Sequence, residues 1–181
     1  MKIRLFFLVL FGLLNGLILP SELKAHSCSL KYAKNKQISQ PKIKSYSEKE
    51  IQEFETKLVE LINLERAKLN LKALTIWKSL TYCAKEHSQN MANEKVAFGH
   101  GGFEFRAESM KKLAKLKSFG ENVAYCYNIK DPLKAAVEGW MDSPGHKENI
   151  LSDYEETGIG IAYSSDGACY MTQLFAKRFK K

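Results

Sequence analysis

Three polar side chains in separate parts of the chain have the types needed to bind a divalent metal or a polar ligand. His100 lies in the glycine-rich segment FGHGGF, Glu121 lies in FGENVA, and His146 follows the Ser-Pro-Gly segment in GWMDSPGHKENIL. Imidazole nitrogens and carboxylate oxygens bind zinc at about 2.0–2.2 Å, and water can complete such a site. The separations along the chain fix no geometry. The sequence therefore predicts a zinc or other divalent-metal site only if the fold brings the three side chains together.

Nucleophilic catalysis has less support in the sequence. A G-x-S-x-G motif does not occur, and no cysteine lies in a setting typical of a nucleophile. Ser143 is three residues from His146 and Ser88 is next to His87, but close neighbours in sequence rarely form a nucleophile–base pair. Ser143 is interpreted as a turn or capping residue, and Asp142 either orients His146 or caps the turn. His87 is interpreted as a packed core residue of a helix.

The first 25 residues have the three-part organisation of a secretory signal peptide. Lys2 and Arg4 precede an apolar run that ends at Leu19, and a polar segment follows up to Ala25. The apolar run is short for a membrane-spanning helix, and an uncleaved anchor is the alternative. Cleavage after Ala25 is predicted, with lipidation of Cys28 as a second processing alternative. The expected location is secreted, periplasmic or extracellular, or lipid-anchored.

The remaining chain divides into a polar, lysine-rich lead-in over residues 26–47 and one predicted domain over residues 48–181. Residues 1–25 hold three cations and one anion, so their removal lowers the formal net charge from +8 to +6. A positive excess suits attraction to anionic surfaces such as lipid headgroups or wall polymers. Nucleic-acid binding is not indicated, because no recognition motif accompanies the charge and the chain is predicted to be exported.

The four cysteines carry no C-x-x-C pair, which argues against thiol redox chemistry and zinc-finger spacing. In an exported protein an even number of cysteines permits two disulfides in three connectivities. Cys126 and Cys169 both lie in strand-like stretches, and we expect them to face each other on adjacent strands as a disulfide. If Cys28 carries lipid, one of the other three cysteines is left over.

Hydrophobic periodicity places the long helices first and a small antiparallel sheet last. Ser47 and Glu50 form a capping box at the start of an amphipathic helix of roughly twenty residues. Further helices are predicted over 78–95, 104–116 and 132–142, and strands over 119–127, 157–164 and 168–179. This segregation of helices and strands is typical of an α+β fold.

Local signals also predict how the candidate side chains are presented. Gly120 and Asn122 flank Glu121 and predict a sharp entry into a strand, with the carboxylate at the strand end. The Ser-Pro-Gly segment predicts a turn that exposes the ring of His146. The glycines around His100 predict an open loop.

Seven segments together resemble, in their order along the chain, the CAP superfamily of cysteine-rich secretory proteins, antigen 5 and pathogenesis-related proteins. The segments are LINLERAKLNLKAL, AKEHSQNMA, FGHGGF, GENVA, GWMDSPGHKENIL, TGIGIAY and YMTQLFA. They cover roughly residues 51–179, and the bacterial branch of the family, with its SCP domain, is the closer likeness. The resemblance implies a three-layer α-β-α sandwich with a small antiparallel sheet between helices.

The resemblance also implies a central cleft whose family positions fall on His100, Glu121 and His146. In animal members a second Glu, three residues after a helix Trp, completes a tetrad. Counted from Trp140, that position is Ser143 here, so the tetrad is incomplete unless Asp142 substitutes. Asn63 and Arg66 match polar positions of the family's first helix and are expected to be structural ties.

Three functions remain open at this point. The first and preferred one is a non-enzymatic binding module whose cleft takes a lipid, a wall-derived ligand or a surface protein. The second is a metal-dependent hydrolase, in which a metal held by His100 and His146 activates water and Glu121 acts as general base. The third is a structural or adhesive role carried by the basic surface. A fold alone does not choose among them.

Overall fold

The computed structural model describes residues 45–179. The predicted signal peptide, Cys28 and all but the last three residues of the predicted lead-in lie outside the described residues. Residues 45–47 precede the first helix without regular structure. Among residues 45–179, none of the helices combines the length and apolar character that crossing a bilayer requires.

The described chain folds into five helices and four strands. In chain order these are α1 (Glu48–Ala67), β1 (Thr75–Ile76), α2 (Lys78–Ala92), α3 (Phe103–Leu113), β2 (Leu116–Cys126), α4 (Pro132–Asp142), α5 (Pro144–Leu151), β3 (Glu156–Tyr163) and β4 (Cys169–Arg178). The capping box at Ser47 and Glu50 is confirmed, and Asp131 caps α4 by accepting a hydrogen bond from the backbone N–H of Lys134. Both caps satisfy N–H groups that the first turn of a helix leaves unpaired.

The sheet has the strand order β1-β3-β4-β2. Strand β4 pairs antiparallel with both β2 and β3, as predicted, and a short turn over residues 164–168 joins β3 to β4. Strand β1, which arises from the connector after α1, adds a short parallel pairing to β3. Strand β2 therefore forms one edge of the sheet.

Helices cover both faces of the sheet and make the expected three-layer α-β-α sandwich. Helices α1, α4 and α5 pack on one face, and α2 and α3 pack on the other. The larger core lies on the first face and includes Leu58, Ile62, Trp140, Ile159, Met171 and Phe175. The smaller core on the second face includes Leu80, Ala84, Met110, Leu174 and Ala176. Alternation along β4 sends neighbouring side chains into the two cores.

The segment TGIGIAY in β3 has glycines where α2 crosses it. A Cβ atom added at Gly158 would lie 2.1 Å from the backbone nitrogen of Thr81, and one at Gly160 would lie 2.1 Å from that of Lys85. Only residues without side chains fit there, because the helix backbone rests directly on the strand. The isoleucine between the two glycines faces the larger core instead.

Arg66 ties the end of α1 to the chain that follows α5. Its guanidinium group is almost fully buried and donates hydrogen bonds to the carbonyl oxygens of Lys72, Ile150, Ser152 and Tyr154. Asn63 in the same helix exchanges two hydrogen bonds with the backbone of Leu74. Both residues are structural ties, as the resemblance implied.

The contact between α2 and β3 yields a paired prediction. Replacing Gly160→Ala should lower the free energy of unfolding by about 3 kcal/mol, because the new methyl group meets helix backbone that cannot move aside. Replacing Gly139→Ala in α4 is the control, since nothing lies within 4 Å of a Cβ there. It should raise stability by about 0.5–1 kcal/mol through helix propensity. Urea unfolding of both variants checks this, and equal effects would contradict it.

Candidate functional site

The three candidate side chains lie together at the free edge of β2. Glu121 belongs to β2, His100 belongs to the loop between α2 and α3, and His146 lies in the first turn of α5. The Nδ1 atom of His100 is 2.9 Å from the Oε1 atom of Glu121, and the ring centroids of the two histidines are 6.2 Å apart. The loop approaches β2 from the α2–α3 side, whereas α5 packs from the other side. The edge strand therefore brings the two helical layers to one site.

Arg106 is the residue that organises this site. Its Nε atom donates to Oε2 of Glu121 at 2.7 Å, and its Nη2 atom donates to Oε1 at 2.8 Å. Both groups are buried, with only 9% of the arginine side chain and 1% of the glutamate side chain exposed. Two parallel bonds of this kind give both strength and a fixed orientation. The Glu121 carboxylate is thus held by arginine and histidine together.

Arg106 was not among the residues that the sequence analysis singled out. An arginine in a helix rich in charged residues is ordinarily solvated, and nothing in its immediate neighbours suggests a partner. One signal was present: Arg106 shares the buried face of α3 with Ala107 and Met110. A charged residue on an apolar face needs a buried counter-charge.

The same guanidinium group also holds the loop that carries His100. Its Nη1 atom donates to the carbonyl oxygen of Gly101 at 2.8 Å and to Nδ1 of His87 at 3.2 Å. Because arginine can only donate, Nδ1 of His87 accepts and its proton lies on Nε2. That Nε2 atom then donates to the carbonyl oxygen of Gly99 at 2.9 Å. His87 is a buried core residue, as interpreted, and its hydrogen bond to Gly99 stabilises the loop that carries His100.

Glycine conformation matters at the start of α3. Gly102 precedes the helix with φ of 76°, in the left-handed region. A side chain is disfavoured there by its own backbone. The reversal allows the chain to turn from the His100 loop into α3, so that Arg106 returns beneath the loop.

The structure corrects the predicted position of Glu121. It lies in the middle of β2, whose register with β4 runs from Leu116 to Cys126, and not at a strand end. Gly120 does not mark a turn. A Cβ atom there would lie 2.6 Å from the hydroxyl oxygen of Tyr154, so glycine is needed for a close approach. Gly120 is therefore a packing glycine within β2 and does not break the strand.

The Ser-Pro-Gly segment is also not a simple turn. Pro144 begins α5, so His146 is a half-buried residue of a helix rather than an exposed ring on a bend. Proline fits the first helical position because its missing N–H would have no partner there. Ser143 lies between α4 and α5 and makes no side-chain capping bond to α5.

Two asparagines lock α5 onto the edge strand. The side chain of Asn122 donates to the carbonyl oxygen of His146 at 3.1 Å. The side chain of Asn149 donates to the carbonyl oxygen of Glu121 at 3.1 Å and to Oδ1 of Asn122 at 2.9 Å. Asn122 is fully buried, so these bonds replace the water that an edge strand would otherwise bind. The Asn residues of GENVA and HKENIL therefore set the place of His146.

Burial and charge decide the ionisation of the site. Burial raises the pKa of Glu121, but hydrogen bonds from His100 and Arg106 and the charge of Arg106 outweigh it, so this pKa lies below the ordinary value. Burial lowers the pKa of His146, and a positive charge on His100 lowers it further. Burial likewise lowers the pKa of His87. At neutral pH the site holds an ionised carboxylate and neutral His87 and His146 rings.

A three-ligand metal site does not fit the arrangement of Glu121. Its two oxygens are bound to Arg106 and His100, and the adjacent guanidinium charge opposes a divalent cation. Across residues 45–179, no group of three or more His, Cys, Asp or Glu side chains is placed to hold a metal. Asp142 is exposed at the end of α4, and its role as a substitute for the missing glutamate stays a prediction. Metal binding by His100 and His146 also stays a prediction.

The predicted cysteine pair lies on the sheet face opposite to Glu121. Cys126 and Cys169 are directly opposite partners in the β2–β4 ladder. Both are buried free thiols in this structure, as is Cys83, so a disulfide is not shown. Burial raises the pKa of Cys169 to about 12, which keeps it protonated. A disulfide between Cys126 and Cys169 remains a prediction.

The Arg106–Glu121 pair should dominate the stability of this region. Replacing Arg106→Gln leaves a buried carboxylate without its cation and should lower the free energy of unfolding at pH 7 by about 3–5 kcal/mol. The loss should shrink as the pH falls from 7 to 4, because without Arg106 the burial of Glu121 raises its pKa and the carboxyl group of the variant takes up a proton. Lys111→Gln, which breaks the exposed pair with Glu108, is the control and should leave stability nearly unchanged. Denaturant unfolding of both variants at pH 7 and pH 4 measures these changes in the free energy of unfolding.

A second prediction concerns pH. The folded-state pKa values of His87 and His146 are lowered, so the unfolded chain binds more protons below about pH 6.5 and stability should fall as pH decreases from 7 to 5. The pKa of Glu121 is also lowered, and its contribution should be lost only at lower pH. The variant His87→Gln should flatten the dependence of melting temperature on pH between 5 and 7. An unchanged slope in that variant would refute the assignment.

Comparisons with known proteins extend these observations. Residues 59–175 match the profile of the cysteine-rich secretory protein family, CAP. The chain is 36% identical over 127 residues to the protein YkwD of Bacillus subtilis, which covers 68% of this chain and 48% of YkwD. It is 35% identical over 144 residues to the membrane protein YlbC of the same organism, which covers 76% of this chain and 36% of YlbC. The chain thus spans about half or less of the length of these curated relatives.

Solved structures show the same architecture. An outer surface protein from Borrelia burgdorferi is 26% identical, covers 71% of this chain and 95% of its own, and superposes with a TM-score of 0.59. An extracellular SCP-domain protein from Bacillus anthracis is 23% identical, covers 75% of this chain and 45% of its own, and gives a TM-score of 0.58. The fold and the profile match over most of the described residues lead to one conclusion. The chain belongs to the CAP family of cysteine-rich secretory proteins.

Proposed function

We propose that this protein is an exported CAP-domain binding module whose ligand contacts the imidazole rings of His100 and His146. The observation that carries the proposal is the state of Glu121. Its carboxylate is buried, ionised and bonded on both oxygens, so it holds His100 in place and has no free oxygen with which to take a proton from water. A site built this way is suited to recognition.

The two histidines supply the polar part of the proposed contact. Since Nδ1 of His100 donates to Glu121, its Nε2 atom is directed away from the carboxylate. Half of the His100 side chain is exposed, and His146 is half-buried beside it. These ring nitrogens can bond a hydroxyl group or, when protonated, an anionic group.

An aromatic cluster near this edge supplies an apolar part. Phe98, two residues before His100, has its ring centroid 5.9 Å from that of Tyr125 and 6.4 Å from that of Tyr170. Phe98 is 52% exposed and Tyr125 is 47% exposed. Tyr125 lies on the same face of β2 as Glu121, four residues further along. A ligand with a polar or anionic head and an apolar or ring-bearing body fits both parts, as lipid-derived and wall-derived molecules do.

The hydrolase alternative has no comparable observation in its favour. It needs Glu121 either as a metal ligand or as a general base, and the pair with Arg106 occupies the carboxylate in both cases. Removing Arg106 from the carboxylate would leave a buried charge unpaired, at a cost of about 3–5 kcal/mol. Hydrolysis is therefore not part of the proposal, and it is measured as an outcome that would overturn the proposal.

The binding proposal can be tested with two probes, a dansyl-labelled fatty acid and a soluble muropeptide. His100→Ala and Phe98→Ala should each weaken binding of the preferred probe about tenfold, since each removes one of the two proposed contacts. Tyr82→Ala is the matched control, because Tyr82 is an exposed aromatic residue in the first half of α2 that lines a groove with Glu48 and Lys78 and not the aromatic cluster. Fluorescence titration and calorimetry give the dissociation constants.

Two outcomes would overturn the proposal. One is equal loss of binding in the Tyr82→Ala control, which would indicate non-specific apolar adsorption. The other is zinc-dependent cleavage of peptide or ester substrates that disappears in His146→Ala. Metal analysis of the purified protein, with His100→Ala beside it, accompanies the second measurement.

A further inference from the structure

Two large apolar side chains of α3 are exposed and do not belong to the core. Phe105 is 76% exposed and Leu113 is 62% exposed. They are eight residues apart, so Leu113 lies about 12 Å further along the helix and about 80° around it from Phe105. Arg106, Ala107 and Met110 are the residues of α3 that pack against the sheet. Phe105 lies on the outward face of α3, and Leu113 is exposed at the C-terminal end of the helix.

Two lysines near the C-terminal end of α3 take part in no salt bridge among the described residues. Lys112 and Lys115 are exposed, and no salt bridge within residues 45–179 involves either of them. Glu108, one turn before Lys112, pairs with Lys111 at 2.7 Å. The charge of Lys112 also acts on Glu108, but the two side chains form no salt bridge. Lys117 is left out of the set, because it belongs to β2 and its charge acts on Asp153, which follows α5.

The C-terminal end of β4 adds a third apolar side chain. The backbone N–H of Phe179 bonds to the carbonyl oxygen of Lys115 at 3.1 Å, and Phe179 is 60% exposed. Two further lysines follow it in the sequence. We call this surface the α3 patch; it comprises Phe105, Lys112, Leu113, Lys115 and Phe179.

The composition of the patch distinguishes between two anionic partners. A soluble polyanion such as a wall polymer would use the lysines and leave the apolar side chains in water. An anionic lipid bilayer uses both, since aromatic and leucine side chains enter the interface while lysines contact the phosphates. We infer that the α3 patch docks the protein on an anionic lipid bilayer.

This docking is independent of the ligand proposed for the histidine site. The patch consists of exposed side chains of α3 and its neighbours, whereas the Arg106 side chain that holds Glu121 is buried. The loop with His100 leads directly into α3, so docking would hold the site near the membrane surface.

Vesicle co-sedimentation tests the inference on the chain expressed without residues 1–25. Vesicles of phosphatidylglycerol and phosphatidylcholine should bind the protein, and vesicles of phosphatidylcholine alone should not. The double variant Lys112→Gln/Lys115→Gln should lose about 25-fold in partitioning, because each lysine near an anionic surface contributes about fivefold. The control Lys49→Gln/Lys57→Gln, on α1 in the other helical layer, changes the net charge equally and should have little effect.

The apolar arm of the experiment separates a bilayer from a polyanion. Phe105→Ser/Leu113→Ser should weaken binding to anionic vesicles about tenfold or more, with circular dichroism and melting temperature confirming that the fold is intact. The inference fails if this variant binds vesicles as the unaltered protein does, since the patch would then be only a charged surface. It also fails if the α1 control loses binding as strongly as the patch variant. Neither failure would bear on fatty-acid or muropeptide binding at His100.

Discussion

The ionised carboxylate of Glu121, buried between the sheet and α3, imposes the main constraint on the site. A charge in that position is tolerated only if it is paired and hydrogen-bonded. Arg106 meets this need with two short bonds, and its remaining donors then bind the carbonyl oxygen of Gly101 and the ring of His87. One buried ion pair thus determines the path of the loop and the direction in which His100 points.

Close packing at glycines of the sheet brings together the elements that carry Arg106, Glu121 and His87. Because α2 rests on β3 at Gly158 and Gly160, the C-terminal half of α2 brings His87 close to the Arg106–Glu121 pair. On the other face, Gly120 admits Tyr154 and Asn149, and α5 is drawn onto the edge strand. The site therefore depends on close approaches at glycines in both helical layers.

The proposed binding function rests on which side chains of the site are left exposed. In the implied family tetrad a second carboxylate, the fourth member of the tetrad, occupies the position of Ser143 here, and the one carboxylate that remains, that of Glu121, is neutralised by Arg106. What faces outward is a pair of imidazole rings, with an aromatic cluster near by and a cationic apolar helix face directly after the His100 loop. These polar, aromatic and cationic surfaces, taken in that order, are the basis of the proposed binding of an amphipathic ligand at a lipid surface.

The sequence alone was sufficient to predict the fold, the family and the positions of several helices. Hydrophobic periodicity and caps place α1, α2 and α4 to within a few residues, because these signals are local, and the order of seven short segments identifies the family and its three-layer fold. Three candidate site residues, which the structure brings together, were also predicted from sequence. Tertiary structure alone decided that Glu121 lies mid-strand, that His146 lies on a helix, and that Arg106 holds the carboxylate. Each of these depends on contacts between residues far apart in the chain, and local patterns cannot show which buried charge meets which partner, or whether a glycine marks a turn or a point of close packing.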